Sequence, residues 1–307
     1  MRTAAIAALA VCAACAGEAR GEPPAASPAG RLAALVPADD ARRAIAIGRG
    51  GEVYEPDGNG AWIRRLPCTT ATPVIAAGRA GAAIVAIGDG VIYRLAANGW
   101  SAIRLMQHGK AILGAGPRAL AAVGRQLFAL DPLARGEPTR LAQAPAAIVA
   151  IGAGPTAAVI ATESALFRLA GNRLVALPGA PAAPRPISDR WWLIDRAAAD
   201  LNTGRLTRWP DDLRIGPAAA GPGDALAAVG RRGDGLVLVT IAAGKLALDP
   251  LGITGEAVGV VVDRAGRAVV ALDDGRLAMR GPAGWTTTTV VDEPAASHPG
   301  AAPATSK

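Results

Sequence analysis

Short apolar runs of about five or six residues, each closed by a turn rich in glycine, succeed one another from residue 31 to residue 291. Residues 83–105 read AIVAIG-DG-VIYRL-AANG-WSAIRL, and residues 44–66 read AIAIG-RGG-EVYEP-DGNGA-WIRRL. Each is an apolar run, a Gly turn, a short segment carrying Tyr, a second turn and a segment led by Trp. The pattern recurs at 119–141 and 157–177, more loosely at 191–209 and 237–253, and again at 268–291. Runs this short, punctuated by Gly or Pro about every six to ten positions, predict strands joined by hairpins and leave no length for solenoid helices.

The repeats share one core position in their third strand: Val53, Ile92, Leu127, Leu166, Ala198, Leu246 and Leu277. The longest interval, Ala198 to Leu246, holds the Pro/Gly/Ala stretch 211–223 (DLRIGPAAAGPGD), read here as a loop between units. One further apolar strand precedes each copy, at Leu32–Val36, Pro73–Ala77, Ala111–Gly114, Ala147–Ile151, Arg185–Ser188, Ala225–Val229 and Val258–Val262. Seven units of four short strands, about 37 residues each, predict an all-β fold: a seven-bladed β-propeller of four-stranded antiparallel blades. Burial of each sheet on both faces explains the near-continuous Ala/Val/Ile/Leu runs. Tyr54, Tyr93, Phe128 and Phe167, with Trp62, Trp100 and Trp285, are placed to fill the wider space between outer strands. The first strand and Thr286–Val291 are expected in adjacent blades. Residues 31–35 also match the outer strand at 173–177, which leaves open whether the first strand closes the seventh blade.

Gly50-Gly51, Tyr54-Glu55-Pro56, Trp62 and Leu66-Pro67 together resemble a kelch repeat, and Asp57…Trp62 resembles the Asp-box of sialidase-like propellers. The resemblance implies a propeller. It also implies binding of proteins or glycans, the common role of such propellers, with enzymes as the minority.

The ends are different in kind. Met1-Arg2-Thr3, an apolar run over Ala4–Cys15 and then Ala16-Gly17 read as a signal peptide over residues 1–16. The run falls short of the ~20 residues a membrane span requires. Two exits fit: cleavage before Gly17, or lipidation of Cys15 in the lipobox-like Cys12-Ala13-Ala14-Cys15. Residues 17–30 form a Pro/Ala-rich tether, 31–291 the propeller and 292–307 a polar tail. These features predict an exported protein, periplasmic, attached to the outer membrane as a lipoprotein, or secreted. Contact with the membrane is expected only through the lipid.

Composition adds limits. The net charge is +7, but its arginines are scattered, and Lys occurs only at Lys110, Lys245 and Lys307, so a nucleic-acid partner is not expected. The two histidines, His108 and His298, fall in a turn and in the tail, and Cys68 has no partner in the mature domain. Neither a metal site, a cofactor nor a nucleophile–base pair is expected. Asp39, Asp40, Asp189 and Asp263 are the acids near inner-strand ends that a glycosidase or lyase would use, whereas Asp89, Asp234 and Asp274 sit in Asp-Gly turns. Trp191 and Trp192 break the repeat pattern. On a strand one faces each side, and either ring, with Trp209 beside the 211–223 stretch, is a candidate stacking platform for a sugar or peptide. The expected function is a monomeric binding or scaffold module at the cell envelope, with a protein or glycan as partner. A carbohydrate-active enzyme and a structural envelope protein are the alternatives.

Overall fold

The computed structural model describes residues 32–291 apart from 39–43, 58–59, 67–69, 82, 97–98, 105–110, 115–118, 131–137, 155–156, 179–184 and 264. Cys15, Asp39, Asp40, Cys68, His108, His298, the tether and the tail all lie outside the described residues. The strands come in consecutive fours: β1–β4 (Leu32–Pro37, Ala44–Gly48, Val53–Pro56, Trp62–Leu66), β5–β8 (Ala76–Ala80, Ala83–Gly88, Val91–Ala96, Gly99–Arg104) and β9–β12 (Ala111–Gly114, Ala119–Val123, Gln126–Leu130, Thr139–Gln143). They continue as β13–β16 (Ile148–Ala153, Ala158–Thr162, Leu166–Ala170, Arg173–Leu177) and β17–β20 (Arg185–Pro186, Trp191–Ile194, Ala197–Asp200, Leu206–Arg208). The last are β21–β24 (Leu213–Ala220, Leu226–Arg232, Gly235–Ala242, Lys245–Pro250) and β25–β28 (Ala257–Val262, Ala268–Leu272, Arg276–Gly281, Gly284–Val291).

Within every four the strands pair in sequence order and antiparallel, as hairpins demand, and the fold is an all-β propeller. Five sheets hold four strands each. The other eight strands form one sheet, because β28 pairs in parallel with β4 through Val290↔Trp62 and Val291↔Ile63. Inner strands touch in succession: β1 packs on β25 and β5, β9 on β5 and β13, β13 on β17, and β21 on β25. β1 pairs with β2 as an inner strand, so it does not close the last blade as an outer one.

Burial on both faces explains the sequence of the second strands. β2, β6, β10 and β14 are buried at every position, with Ala and Gly where neighbouring sheets converge and Val, Ile or Leu between them. The core is thus a series of seams between sheets. Tyr93 and Trp100 meet edge to face, 6.3 Å apart, in the seam against β1–β4, where the Trp100 Nε1–H donates to Gly51 O at 2.7 Å. Trp62 fills the seam toward β25–β28 and donates to Met279 Sδ at 3.5 Å.

Residues 211–223 are not a loop. Leu213–Ala220 is the inner strand β21, Leu213 is buried, and a 3-10 turn at Pro222–Asp224 leads into β22. The ladder between β21 and β22 slips between Ile215 and Ala218, which places Gly216 and Pro217 in a bulge. Proline is compatible with a bulged edge strand, where its missing N–H costs no ladder bond. Of Ala225–Val229, expected as the inner strand, all but Ala225 belong to the second strand, and Leu246 lies on the fourth. Anchoring this unit on β23 removes the one long interval of the repeat.

Candidate functional site

All three tryptophans proposed as platforms are core residues. Trp191 and Trp192 stand on opposite faces of β18, as pleating requires, but both are buried, and so is Trp209. Trp191 and Trp209 pack with Leu193, Leu213 and Leu226 in the seam between β17–β20 and β21–β24. Trp192 packs with Val159, Ala161 and Leu166 of β13–β16. A ring covered on both sides has no face to offer a ligand, and the expectation of a stacking platform is corrected on that ground.

One end of the ring carries the turns between first and second strands. There Arg190 grips Asp200 with two hydrogen bonds, Nε to Oδ1 at 3.0 Å and Nη2 to Oδ2 at 2.8 Å, and pairs through Nη1 with Asp224. Its guanidinium lies 5.7 Å from the Trp191 ring centroid, and the Trp191 Nε1–H donates to Asp224 O at 3.0 Å. Burial pushes the Asp200 carboxyl up, but hydrogen bonds from Arg190 and from the Asn202 N–H outweigh it, so the group is held below the ordinary aspartate value. Ser188 Oγ accepts the backbone N–H groups of Arg190 and Trp191, which shapes the turn. Asp189 lies against Gly154, where any side chain would collide with its carboxylate.

Asp263, buried at the corresponding turn of β25–β28, accepts the N–H groups of Ala265 and Arg267 through Oδ1 and Arg267 Nε through Oδ2. It serves its own turn. Asp200, Asp224 and Asp263 at this end are thus each held by an arginine, Asp200 and Asp263 by backbone N–H groups as well.

The opposite end carries the turns between second and third strands, and here a cleft of about 520 Å³ opens between β21–β24 and β25–β28. Aliphatic and backbone surface from Leu236, Val237, Pro250 and Ile253 forms its walls, with Arg232 and Arg276 at its edge. Each arginine is held in place. Arg232 Nε donates to Asp212 Oδ2 at 2.6 Å, while Arg276 donates to Asp274 Oδ2 at 2.8 Å and to Thr254 O at 2.8 Å. The hydrogen bond with Asp274 raises Arg276, and that from Arg276 lowers Asp274, so both stay charged across the neutral range. No sequence motif announces this cleft, because its residues come from turns of two separate repeats.

On the inner strands, Arg79 Nη1 donates to Pro37 O at 3.1 Å and Arg185 Nη2 to Gly216 O at 2.6 Å. Each arginine satisfies a carbonyl of a neighbouring inner strand, Arg79 that of the preceding one and Arg185 that of the following one. Burial pushes both guanidinium groups down from the usual arginine value.

Solved structures with this fold include a streptogramin B lyase, 15% identical with a TM-score of 0.64 over 81% of this chain and 93% of that one. Virginiamycin B lyase from Staphylococcus aureus is 14% identical, TM-score 0.62, over 80% and 92%. The WD40 propeller domain of Doa1 is also 14% identical, TM-score 0.59, over 80% and 90%. At these identities the likeness shows the fold alone. No protein-family model matches the chain, and the comparison with curated proteins found no match.

Proposed function

We propose that this chain is an exported, seven-bladed propeller that acts as a binding or scaffold module at the bacterial cell envelope, holding a protein or glycan through a propeller face. The count of seven takes the eight-stranded sheet as two blades joined at β4 and β28. The kelch-like reading of the first repeat is supported by Gly51, which has a positive φ of 90° and accepts the indole N–H of the next blade. Export and anchoring at Cys15 rest on the signal-like residues 1–16.

The observation that carries the binding reading is the face cleft. It is walled by two blades and edged by Arg232, oriented by a carboxylate, and Arg276, oriented by a carboxylate and a carbonyl. Pre-oriented donors beside aliphatic surface suit retention of a ligand, since little ordering remains to be done on binding. The Arg232→Ala, Arg276→Ala double variant should fold normally and lose at least tenfold in retention on envelope fractions, measured by surface plasmon resonance. Glycoside cleavage by the wild type, lost in Asp189→Asn, would replace the binding reading by an enzyme.

A further inference from the structure

Blades diverge outward, and an aromatic residue fills the widening gap at most seams of this ring. The residue after each third-strand anchor faces the preceding blade: Tyr54, Tyr93, Phe128 and Phe167 all pack there. Three outer-strand tryptophans add to the filling, and each donates its indole N–H to the preceding blade. The acceptors are Met279 Sδ for Trp62, Gly51 O for Trp100 and Asp249 Oδ2 for Trp285. The blades β17–β20 and β21–β24 have neither device, but Trp191 and Trp209 fill the outer part of the seam before β21–β24. Ala199 stands at the aromatic position, and β20 (Leu206-Thr207-Arg208) carries no Trp.

The consequence is an open wedge between β13–β16 and β17–β20. Residues paired across an antiparallel ladder share a face. Leu166 and Leu177 pack toward Trp192, so Arg168↔Val175 and Ala170↔Arg173, two and four positions along, face the wedge as well. From the other side Ala199↔Leu206 and Ala197↔Arg208 face it. Val175 is 52% exposed and Leu206 55%, although both are large aliphatics on strands. Trp192 at the base is 7% exposed, and its Nε1–H is buried without a hydrogen-bond partner among the described residues. Such an orphan is uncommon and costs about 1–3 kcal/mol. Arg168, Arg173 and Arg208 are exposed at this wedge without an acidic partner among the described residues, and no carboxylate lies on the paired positions that face it.

We infer that the wedge between β15–β16 and β19–β20 is a docking site for an acidic peptide segment that inserts a large apolar side chain between Val175 and Leu206. Charge complementarity selects this occupant: three arginines without acidic partners among the described residues surround an apolar slot, and carboxylates flanking an apolar anchor match both. The inference rests on the binding reading above and adds a second surface, on the side of the ring rather than its face.

The test uses the full chain and two labelled synthetic peptides, one with Leu and Trp flanked by Asp and Glu, the other with Lys in place of every acid. By fluorescence anisotropy the acidic peptide should bind at least tenfold more tightly than its basic counterpart, with an affinity that falls as salt rises. The Arg168→Glu, Leu206→Glu double variant should lose that binding tenfold or more while keeping its melting temperature, because both side chains are exposed. Equal binding of the two peptides, or full binding by the double variant, would overturn the inference. So would a sulfated polysaccharide that binds the wild type more tightly than the acidic peptide and survives Leu206→Glu, since the occupant would then be an anionic glycan. The Arg232→Ala, Arg276→Ala variant should hold the peptide unchanged. If that variant alone loses it, the peptide site is the face cleft and the wedge has no part in it.

Discussion

Two adjacent tryptophans show how much a residue's partners decide its energetic role. Trp191 donates to Asp224 O and lies beneath Arg190, whereas Trp192 buries an N–H with no partner among the described residues. Trp191→Phe should therefore cost about 1–2 kcal/mol in urea denaturation, and Trp192→Phe should be near neutral because it removes an unsatisfied donor along with some packing. Asp200 gives the pH-dependent counterpart. Its carboxyl is held below the ordinary aspartate value by Arg190, so its stabilisation is complete above the unfolded pKa and is lost as pH falls through the folded one. Asp200→Asn should be less stable than wild type at pH 7 by about 3 kcal/mol, the scale of a broken buried pair. Below the ordinary aspartate pKa of about 4 the difference should shrink progressively, reaching its minimum once the folded group is protonated. A constant difference from pH 7 to the acid limit would show that the pair contributes no charge-dependent stability.

At the scale of the element, β21 marks where the sequence is hardest to read. Gly216 and Pro217 carry the signals of a loop, and only the pairing of Leu213–Ile215 and Ala218–Ala220 with β22 shows that they form a bulge inside an inner strand. Replacing 211–223 with a Gly-Ser linker should therefore abolish cooperative unfolding followed by circular dichroism. A linker variant with the wild-type melting temperature would show that β21 contributes nothing to the ring. Elsewhere the apolar runs and Gly turns made the four-strand unit legible, since hairpins are local and each sheet is buried on both faces. The tryptophan pair was legible as strand but misread as a site, because burial depends on neighbouring blades. The cleft and the wedge were illegible for the same reason. They are made of residues from different repeats, so no local motif marks either one.

For the whole molecule, closure depends on both ends of the chain. β1 packs on β25 at the axis, while β28 pairs with β4 at the rim over buried Trp62 and Val290. A closed ring should unfold as one unit, unlike an open solenoid, which loses repeats singly. Val290→Asp places a charge in that seam and should lower stability by about 3 kcal/mol in a single transition. A melt that split into two transitions would mean that the blades at the seam unfold independently.

The proposed role, binding without conversion, is open to one direct measurement. Purified residues 31–291 are incubated with envelope glycans and proteins separated into fractions, and both the retained ligand and the supernatant are analysed by mass spectrometry. The proposed binding role predicts saturable retention, with the ligand recovered at its original mass after prolonged incubation. Recovery of a ligand cleaved or eliminated in proportion to protein and time would contradict it and make the propeller an enzyme.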